Sequence, residues 1–265
     1  MVSQSALALF ALFIGSAQAG KRGLAWPFCI DPGVLNNGQG EVVAIYDWET
    51  FAPPDSLGGT GGLGFIGTQA TMDSSSSPVA DLAARQAQQG WATVFSLNEP
   101  DINGISPAEA ASWYIQWINP LAIKKALPAV TSSANAGQGL SWLSEFISAC
   151  AGQCFFDYIN LHWYGTSFAE FSSYIESAHA KFPNNIMVIT EFALNTGTSS
   201  DQVDFFASAF PFLDGLSYVL LYFPFVATSP SLLQANDGAA FAMVGAAACL
   251  YNNDGSPSAA GNLMF

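Results

Sequence analysis

Basic residues are scarce in this sequence. Six lysines and arginines stand against twenty aspartates and glutamates in 265 residues, which gives a formal net charge of -14. Because nucleic acids and anionic membranes are bound mainly through cationic side chains, we expect neither as a partner. A neutral polymer such as a carbohydrate fits this charge. It also fits the aromatic content of 14%, since flat rings stack on sugar faces.

Several other signatures are missing. The apolar run near the N-terminus is too short to span a bilayer. No Gly-x-Gly-x-x-Gly directly follows an early strand and opens a helix, which removes the most common dinucleotide signature. The two histidines, His162 and His179, do not lie at finger-like spacing from the cysteines, which argues against zinc. We therefore expect no metal and no organic cofactor.

The N-terminus has the pattern of a signal peptide. Residues Leu7 to Ile14 are apolar, and Ala17-Gln18-Ala19 has the small residues of a cleavage site. We therefore expect residues 1–19 to be removed and the protein to be secreted, either free or to the cell wall. No linker interrupts residues 20–265, so we expect one domain, a monomer that does not associate with a membrane.

Four cysteines in a secreted chain indicate two disulfides. Cys150 and Cys154 lie close together around a glycine, so we pair them and leave Cys29 with Cys249. The second bridge would join the region of the first strand to the last helix. Three pairings are formally possible, and buried free thiols are the alternative.

The strand and helix patterns predict a (β/α)8 barrel. Near-continuous apolar runs are typical of strands buried on both faces. Helix-like stretches separate several of them, including one opened by Ser77-Pro78, one opened by Ser106-Pro107 and a last one over Ala239–Leu250. An open doubly wound sheet is the alternative, and residues 27–76 show no clear helix. The eight runs are Gly23–Trp26, Val42–Trp48, Gly64–Thr68, Ala92–Leu97, Leu127–Ser132, Tyr158–Tyr164, Ile186–Phe192 and Leu216–Phe223.

Three glutamates lie at the ends of predicted strands, where barrel enzymes carry their catalytic groups: Glu49, Glu99 and Glu191. Glu99 and Glu191 close strands four and seven, whose ends face each other across the barrel mouth. Two carboxyl groups about 5 Å apart suit a retaining glycosidase, one as acid/base and one as nucleophile. The alternatives are a turn carboxylate for Glu99 and a buried ion-pair partner for Glu191.

Both glutamate motifs resemble a known group of enzymes. Asn98-Glu99-Pro100 and Thr190-Glu191-Phe192 are similar to the strand ends of clan A glycoside hydrolases, in which they carry the acid/base and the nucleophile. The chain resembles glycoside hydrolase family 128 more closely, the endo-β-1,3-glucanases. The matching pieces are Lys21-Arg-Gly-Leu-Ala25, Tyr46-Asp-Trp48, Leu97-Asn-Glu-Pro-Asp101, Cys150 and Cys154 with Asp157, His162-Trp-Tyr-Gly165 and Thr190-Glu-Phe-Ala193.

The resemblance implies roles for further residues, with core packing as the alternative for most of them. Asn98 would bind the sugar 2-hydroxyl. His162 and Tyr164 would orient Glu191 or contact the sugar, and Trp163 would also contact substrate. A last pair on strand two, Tyr46 and Trp48, would stack on the glucan or hydrogen-bond to it.

The expected activity is retaining hydrolysis of a β-glucan, β-1,3-linked by resemblance. The motifs depart from the family at three strands: Tyr-Asp-Trp replaces the usual Tyr-Asn-Trp on strand two, and the usual tryptophans are absent from strands three and eight. Two alternatives remain open, the first of which the departures motivate. One is a non-catalytic glucan-binding protein of the cell wall, and the other is a β-glucan transglycosylase.

Overall fold

The computed structural model describes residues 20–27, 30–195 and 197–265. The predicted signal peptide, residues 1–19, and Cys29 lie outside the described residues. Within the described ranges, no helix combines the length and the apolar character needed to cross a membrane.

Nine parallel strands form one closed sheet, in the order β3-β2-β1-β9-β8-β7-β6-β5-β4. The two ends of this order, β3 and β4, are separated along the chain by Ile66 alone, so together they form the third strand of an eight-stranded barrel. The (β/α)8 prediction is confirmed. The strands are β1 (Arg22–Ala25), β2 (Val42–Tyr46), β3 (Gly64–Phe65), β4 (Gly67–Thr68), β5 (Thr93–Asn98), β6 (Lys124–Ala129), β7 (Tyr158–Gly165), β8 (Ile186–Leu194) and β9 (Val219–Pro224).

Seven α-helices are present in the described residues, and five of them alternate with strands from α1 onward. They are α1 (Leu82–Gln89), α2 (Pro107–Trp117), α3 (Gly139–Ala149), α4 (Phe168–Lys181), α5 (Ser199–Gly215), α6 (Pro230–Asn236) and α7 (Gly238–Val244). Besides β2, β3 and β4, the described part of residues 27–76 holds only short 3-10 turns, Pro32–Leu35 and Asp55–Leu57. The described parts of the first two strand connections therefore contain no α-helix.

Two helix boundaries differ from the sequence prediction. Ser77 does not cap α1, because a 3-10 turn over Val79–Asp81 precedes that helix and the Ser77 hydroxyl instead donates to Glu49. The predicted last helix is broken at Gly245, which adopts a φ of 70°. By contrast, Ser106 caps α2 as predicted and accepts a hydrogen bond from the Glu109 amide.

Side chains fill the barrel interior, so the barrel is a packed core and not a pore. A small interior cluster includes Tyr46, Phe95 and Phe223, which meet edge to face. A larger apolar layer separates the barrel from its helices.

One predicted disulfide is confirmed and the other is not testable on the described residues. Cys150 and Cys154 are bonded, at the end of α3. Cys249 is buried and is bonded to neither of these cysteines. Its predicted partner, Cys29, lies outside the described residues.

Candidate active site

Two strands bring Glu99 and Glu191 together at the carboxyl end of the barrel. Glu99 directly follows β5 with a positive φ of 47°, and its amide donates to the Ala129 carbonyl on β6. Glu191 lies on β8, in register with His162 on β7. One oxygen of each carboxyl group and one nitrogen of His162 all lie within 4.8 Å of one another. The two glutamates that the sequence predicts as catalytic therefore lie close together in the structure.

Both oxygens of Glu191 accept hydrogen bonds from uncharged donors. The Trp48 indole donates to Oε1 at 2.8 Å and the Tyr164 hydroxyl donates to Oε2 at 2.6 Å. Burial raises the pKa of Glu191, the Glu99 charge adds to this effect, and His162 and the two donors oppose it. Hydrogen bonds of this kind favour the ionised form, so Trp48 and Tyr164 stabilise the charged form of a buried carboxyl group.

A chain of hydrogen bonds runs from Asn160 through Thr190 and His162 to Glu99. Thr190 donates its single hydroxyl proton to Asn160 Oδ1, so it must accept from His162 Nε2, 2.8 Å away. The proton on Nε2 leaves Nδ1 to face Glu99 Oε1 at 2.9 Å. Nδ1 accepts when His162 is neutral in this tautomer and donates to Glu99 when His162 is protonated.

The charge on His162 depends on the two glutamates. Its side chain is fully buried. Burial lowers the pKa of His162, but the charges of Glu191 and Glu99, together with the hydrogen bond to Glu99, outweigh this effect and leave the pKa raised. A single buried base therefore lies within 3.5 Å of an oxygen of each glutamate. This arrangement suits proton storage and transfer.

A cleft of about 780 Å³ opens above the glutamates. One side is polar and acidic, and the other is apolar and comes mainly from the end of β9 and from α6 and α7. An amphipathic ligand with hydroxyl groups and apolar faces fits such a cleft. The lining residues are Pro27, Asp47, Trp48, Glu49, Asn98, Glu99, Ile102, Thr131, Ser132, Tyr164, Glu191, Phe225, Leu233, Asp237, Ala239, Ala240 and Met243.

The predicted binding residues divide between the cleft and the layer beneath it. Asn98, Trp48 and Tyr164 line the cleft. Tyr46 is buried below it, where its hydroxyl donates to the Thr190 carbonyl at 2.8 Å. Tyr46 therefore supports the Glu191 strand and does not present a surface to a ligand.

Trp163 lies outside the cleft and is removed from the set of binding residues. It is buried and stacks on Phe205 of α5, with Phe171 of α4 at its edge. Successive side chains of a strand point to opposite faces. Since His162 and Tyr164 face the barrel mouth, Trp163 must face the helices.

The sequence reasoning missed the apolar side of the cleft. Leu233, Ala240 and Met243 come from α6 and α7, and α6 was not predicted. Ser229-Pro230 could have indicated α6, because it repeats the Ser-Pro pair that opens α2. Asp47 also lines the cleft, and the sequence indicates it only as the middle residue of the Tyr46-Asp-Trp48 motif.

The barrel, the paired carboxyl groups and the cleft together define a glycoside hydrolase. The family model "Glycosyl hydrolase catalytic core" matches residues 23–263. The chain belongs to that family.

A solved structure confirms the resemblance to glycoside hydrolase family 128. The chain is 76% identical to a family 128 (subgroup IV) endo-β-1,3-glucanase from Lentinula edodes, with a TM-score of 0.91 over 94% of this chain and 100% of that chain. A curdlan-specific exo-β-1,3-glucanase of subgroup III from Blastomyces gilchristii, in complex with glucose, is 25% identical. Its TM-score is 0.72 over 93% of this chain and 97% of that chain.

A curated relative is similar over part of its length. Alkali-sensitive linkage protein 1 of Schizosaccharomyces pombe is 36% identical over 219 residues, which are 78% of this chain and 39% of that protein. This chain thus spans about two fifths of the curated relative.

Proposed function

We propose that this protein is a secreted, retaining endo-β-1,3-glucanase in which Glu99 is the acid/base and Glu191 is the nucleophile. The observation that carries the proposal is the different hydrogen bonding of the two carboxyl groups. Glu191 accepts a hydrogen bond from an uncharged donor on each oxygen, while in the described residues the carboxyl group of Glu99 hydrogen-bonds with His162 alone, through Oε1. These different environments support the proposed division of roles.

The spacing of the carboxyl groups supports retention. One oxygen of Glu99 and one oxygen of Glu191 lie within 4.8 Å of each other, so the two carboxyl groups are close together. Retaining enzymes hold their carboxyl groups roughly 5–5.5 Å apart, against roughly 6.5–9.5 Å in inverting enzymes. This separation supports a double displacement through a glycosyl ester on Glu191.

Glu99 has a free oxygen for the leaving group. In the described residues its Oε2 has no hydrogen-bond partner, while Oε1 contacts His162. In the first step, Glu99 donates its proton to the glycosidic oxygen as Glu191 attacks the anomeric carbon. In the second step, Glu99 takes a proton from water, which releases the sugar from Glu191.

The substrate and the location rest on different support. The Lentinula edodes relative at 76% identity is an endo-β-1,3-glucanase, and the cleft here has the polar and apolar sides that a glucan requires. Secretion is supported by the apolar leader of residues 1–19 and by the Cys150–Cys154 disulfide, since disulfides persist mainly in oxidising compartments.

The test is hydrolysis of laminarin by the wild type, Glu99→Gln and Glu191→Gln, with products followed by NMR. We expect β-configured oligosaccharides of several lengths from the wild type and a loss of several orders of magnitude in both variants. Glu145→Gln, an exposed change on α3, is the matched control and should retain full activity. Products that first appear in the α configuration would contradict retention.

The alternatives have distinct outcomes in the same experiment. Products longer than the substrate would indicate transglycosylation. Binding of laminarin without turnover would indicate a glucan-binding protein. Release of glucose alone from the start would contradict endo cleavage.

A further inference from the structure

A third carboxyl group in the cleft, that of Asp47, has no role in the proposed reaction. It lines the cleft directly after β2, between the buried Tyr46 and the Trp48 that donates to Glu191. Trp48 has a φ of 59°, so the extended strand conformation ends here. At this backbone turn, Asp47 and Trp48 both line the cleft.

Only one of the two oxygens of the Asp47 carboxyl group accepts a hydrogen bond in the described residues. Its Oδ1 accepts one hydrogen bond, from the Glu49 amide at 3.2 Å. Its Oδ2 has no hydrogen-bond partner in the part of the chain that the structure describes, and no lysine, arginine or histidine there lies within ion-pair distance. A carboxylate in this position would be poorly compensated.

The charges around Asp47 make ionisation costly. The ionisable groups that line the cleft with it are Glu49, Glu99, Tyr164, Glu191 and Asp237, none of which is a cation when charged. Arg85, behind this wall, donates instead to Thr50, Gln69 and the Pro78 carbonyl. Burial raises the pKa of Asp47 to about 8; backbone amides oppose this effect and the charge of Glu49 adds to it.

We propose that Asp47 binds the glucan as a neutral carboxylic acid, donating a hydrogen bond from its Oδ2–H to a sugar hydroxyl. This inference rests on the proposed function, since it takes a β-glucan as the ligand. A neutral acid gives the cleft a strong donor without adding another negative charge. A sugar placed over Asp47 removes more water from the carboxyl group and so favours the protonated form further.

Proton linkage is the consequence that distinguishes this role from an ordinary hydrogen bond. If the sugar binds the protonated form, binding above the pKa of Asp47 must take up a proton. The affinity then falls as the pH rises through about 8, by ~10-fold at pH 9 relative to pH 6. An amide at this position can donate to a hydroxyl but cannot ionise.

The test measures binding of laminarihexaose by calorimetry between pH 6 and pH 9, in the inactive Glu99→Gln protein. We expect ~10-fold weaker binding at pH 9, with proton uptake seen as a dependence on the ionisation enthalpy of the buffer. Adding Asp47→Asn should remove both effects. Adding Asp204→Asn, the same change at an exposed position of α5, should leave both in place.

Each remaining outcome bears on one of the two proposals. Binding with the same pH profile in the Asp47→Asn protein, or a flat profile in both proteins, would overturn the role of Asp47 and leave the glucanase proposal standing. No binding of laminarihexaose at any pH, in folded protein, would overturn the glucanase proposal and with it the role of Asp47.

Discussion

Replacing Tyr164 by phenylalanine removes one hydroxyl group and tests how Glu191 is kept ionised. The hydroxyl donates to Glu191 Oε2 at 2.6 Å, in a site where burial raises the pKa of that carboxyl group. A hydrogen bond to a charged group contributes about 1.5–3 kcal/mol. Its loss raises the pKa of Glu191 further, because the ionised form loses a partner and the protonated form loses little.

The predicted effect of Tyr164→Phe depends on pH. Since attack requires the Glu191 carboxylate, kcat/KM on the acid side should fall by roughly 10- to 100-fold, which is 1.5–3 kcal/mol at 1.36 kcal/mol per tenfold. On the plateau, where Glu191 is ionised in both proteins, the loss should be smaller. The acid limb of the profile should therefore move to higher pH.

The assay is the pH dependence of kcat/KM on laminarin for the wild type and Tyr164→Phe. Tyr114→Phe is the matched control, since its hydroxyl donates to the Phe155 carbonyl away from the cleft. A loss of the same size at every pH would refute the reasoning, because it would show that Tyr164 does not act through the ionisation of Glu191. An equal loss in Tyr114→Phe would point to a general structural effect.

Three further changes test the packing described above. Trp163→Ala should lower the free energy of unfolding by about 3–5 kcal/mol in denaturant, because the indole packs against helices. The KM for laminarin should not change. A raised KM in folded protein would show that Trp163 contacts the substrate. Cys150→Ser with Cys154→Ser should cost roughly 2 kcal/mol, or about 4–8 °C in Tm by calorimetry, and no change in Tm would contradict this. Lys21→Met should lower the free energy of unfolding in urea by about 1–3 kcal/mol, because Nζ donates to three carbonyls at the end of α5. An equally stable variant would show that these hydrogen bonds contribute nothing.

The barrel and its two glutamates could be predicted because their signals are local. Strands buried on both faces give continuous apolar runs, and strand ends that carry glutamate then place Glu99 and Glu191 at one edge. The third strand was found as one run over Gly64–Thr68, although it pairs as two pieces around Ile66. Local pattern was sufficient for each of these features.

Features that depend on distant contacts could not be predicted in the same way. Trp48 has a positive φ, and its indole donates to Glu191, a residue 143 positions away in the sequence. The chain from Asn160 to His162 likewise needs the exact register of β7 and β8. Tertiary contacts determine such features, and local propensity does not.

The position of Trp163 outside the cleft is predictable from the sequence of its strand. The motif His162-Trp-Tyr-Gly165 was assigned to the site as a whole, although the two-residue period of a strand separates Trp163 from its neighbours. Its stacking against Phe205 agrees with that period. The alternation of side chains along the strand therefore predicts that Trp163 faces the helices while His162 and Tyr164 face the barrel interior.

The central claim is that Glu191 attacks the sugar while Glu99 handles the proton. The most direct test is to treat the protein with a 2-deoxy-2-fluoro-laminaribiosyl fluoride, which slows release of a glycosyl enzyme, and to locate the adduct by peptide mass spectrometry. We predict one covalent adduct, on the peptide that carries Glu191, and its absence from Glu191→Gln. An adduct on Glu99, or steady hydrolysis of laminarin by Glu191→Gln, would contradict the account.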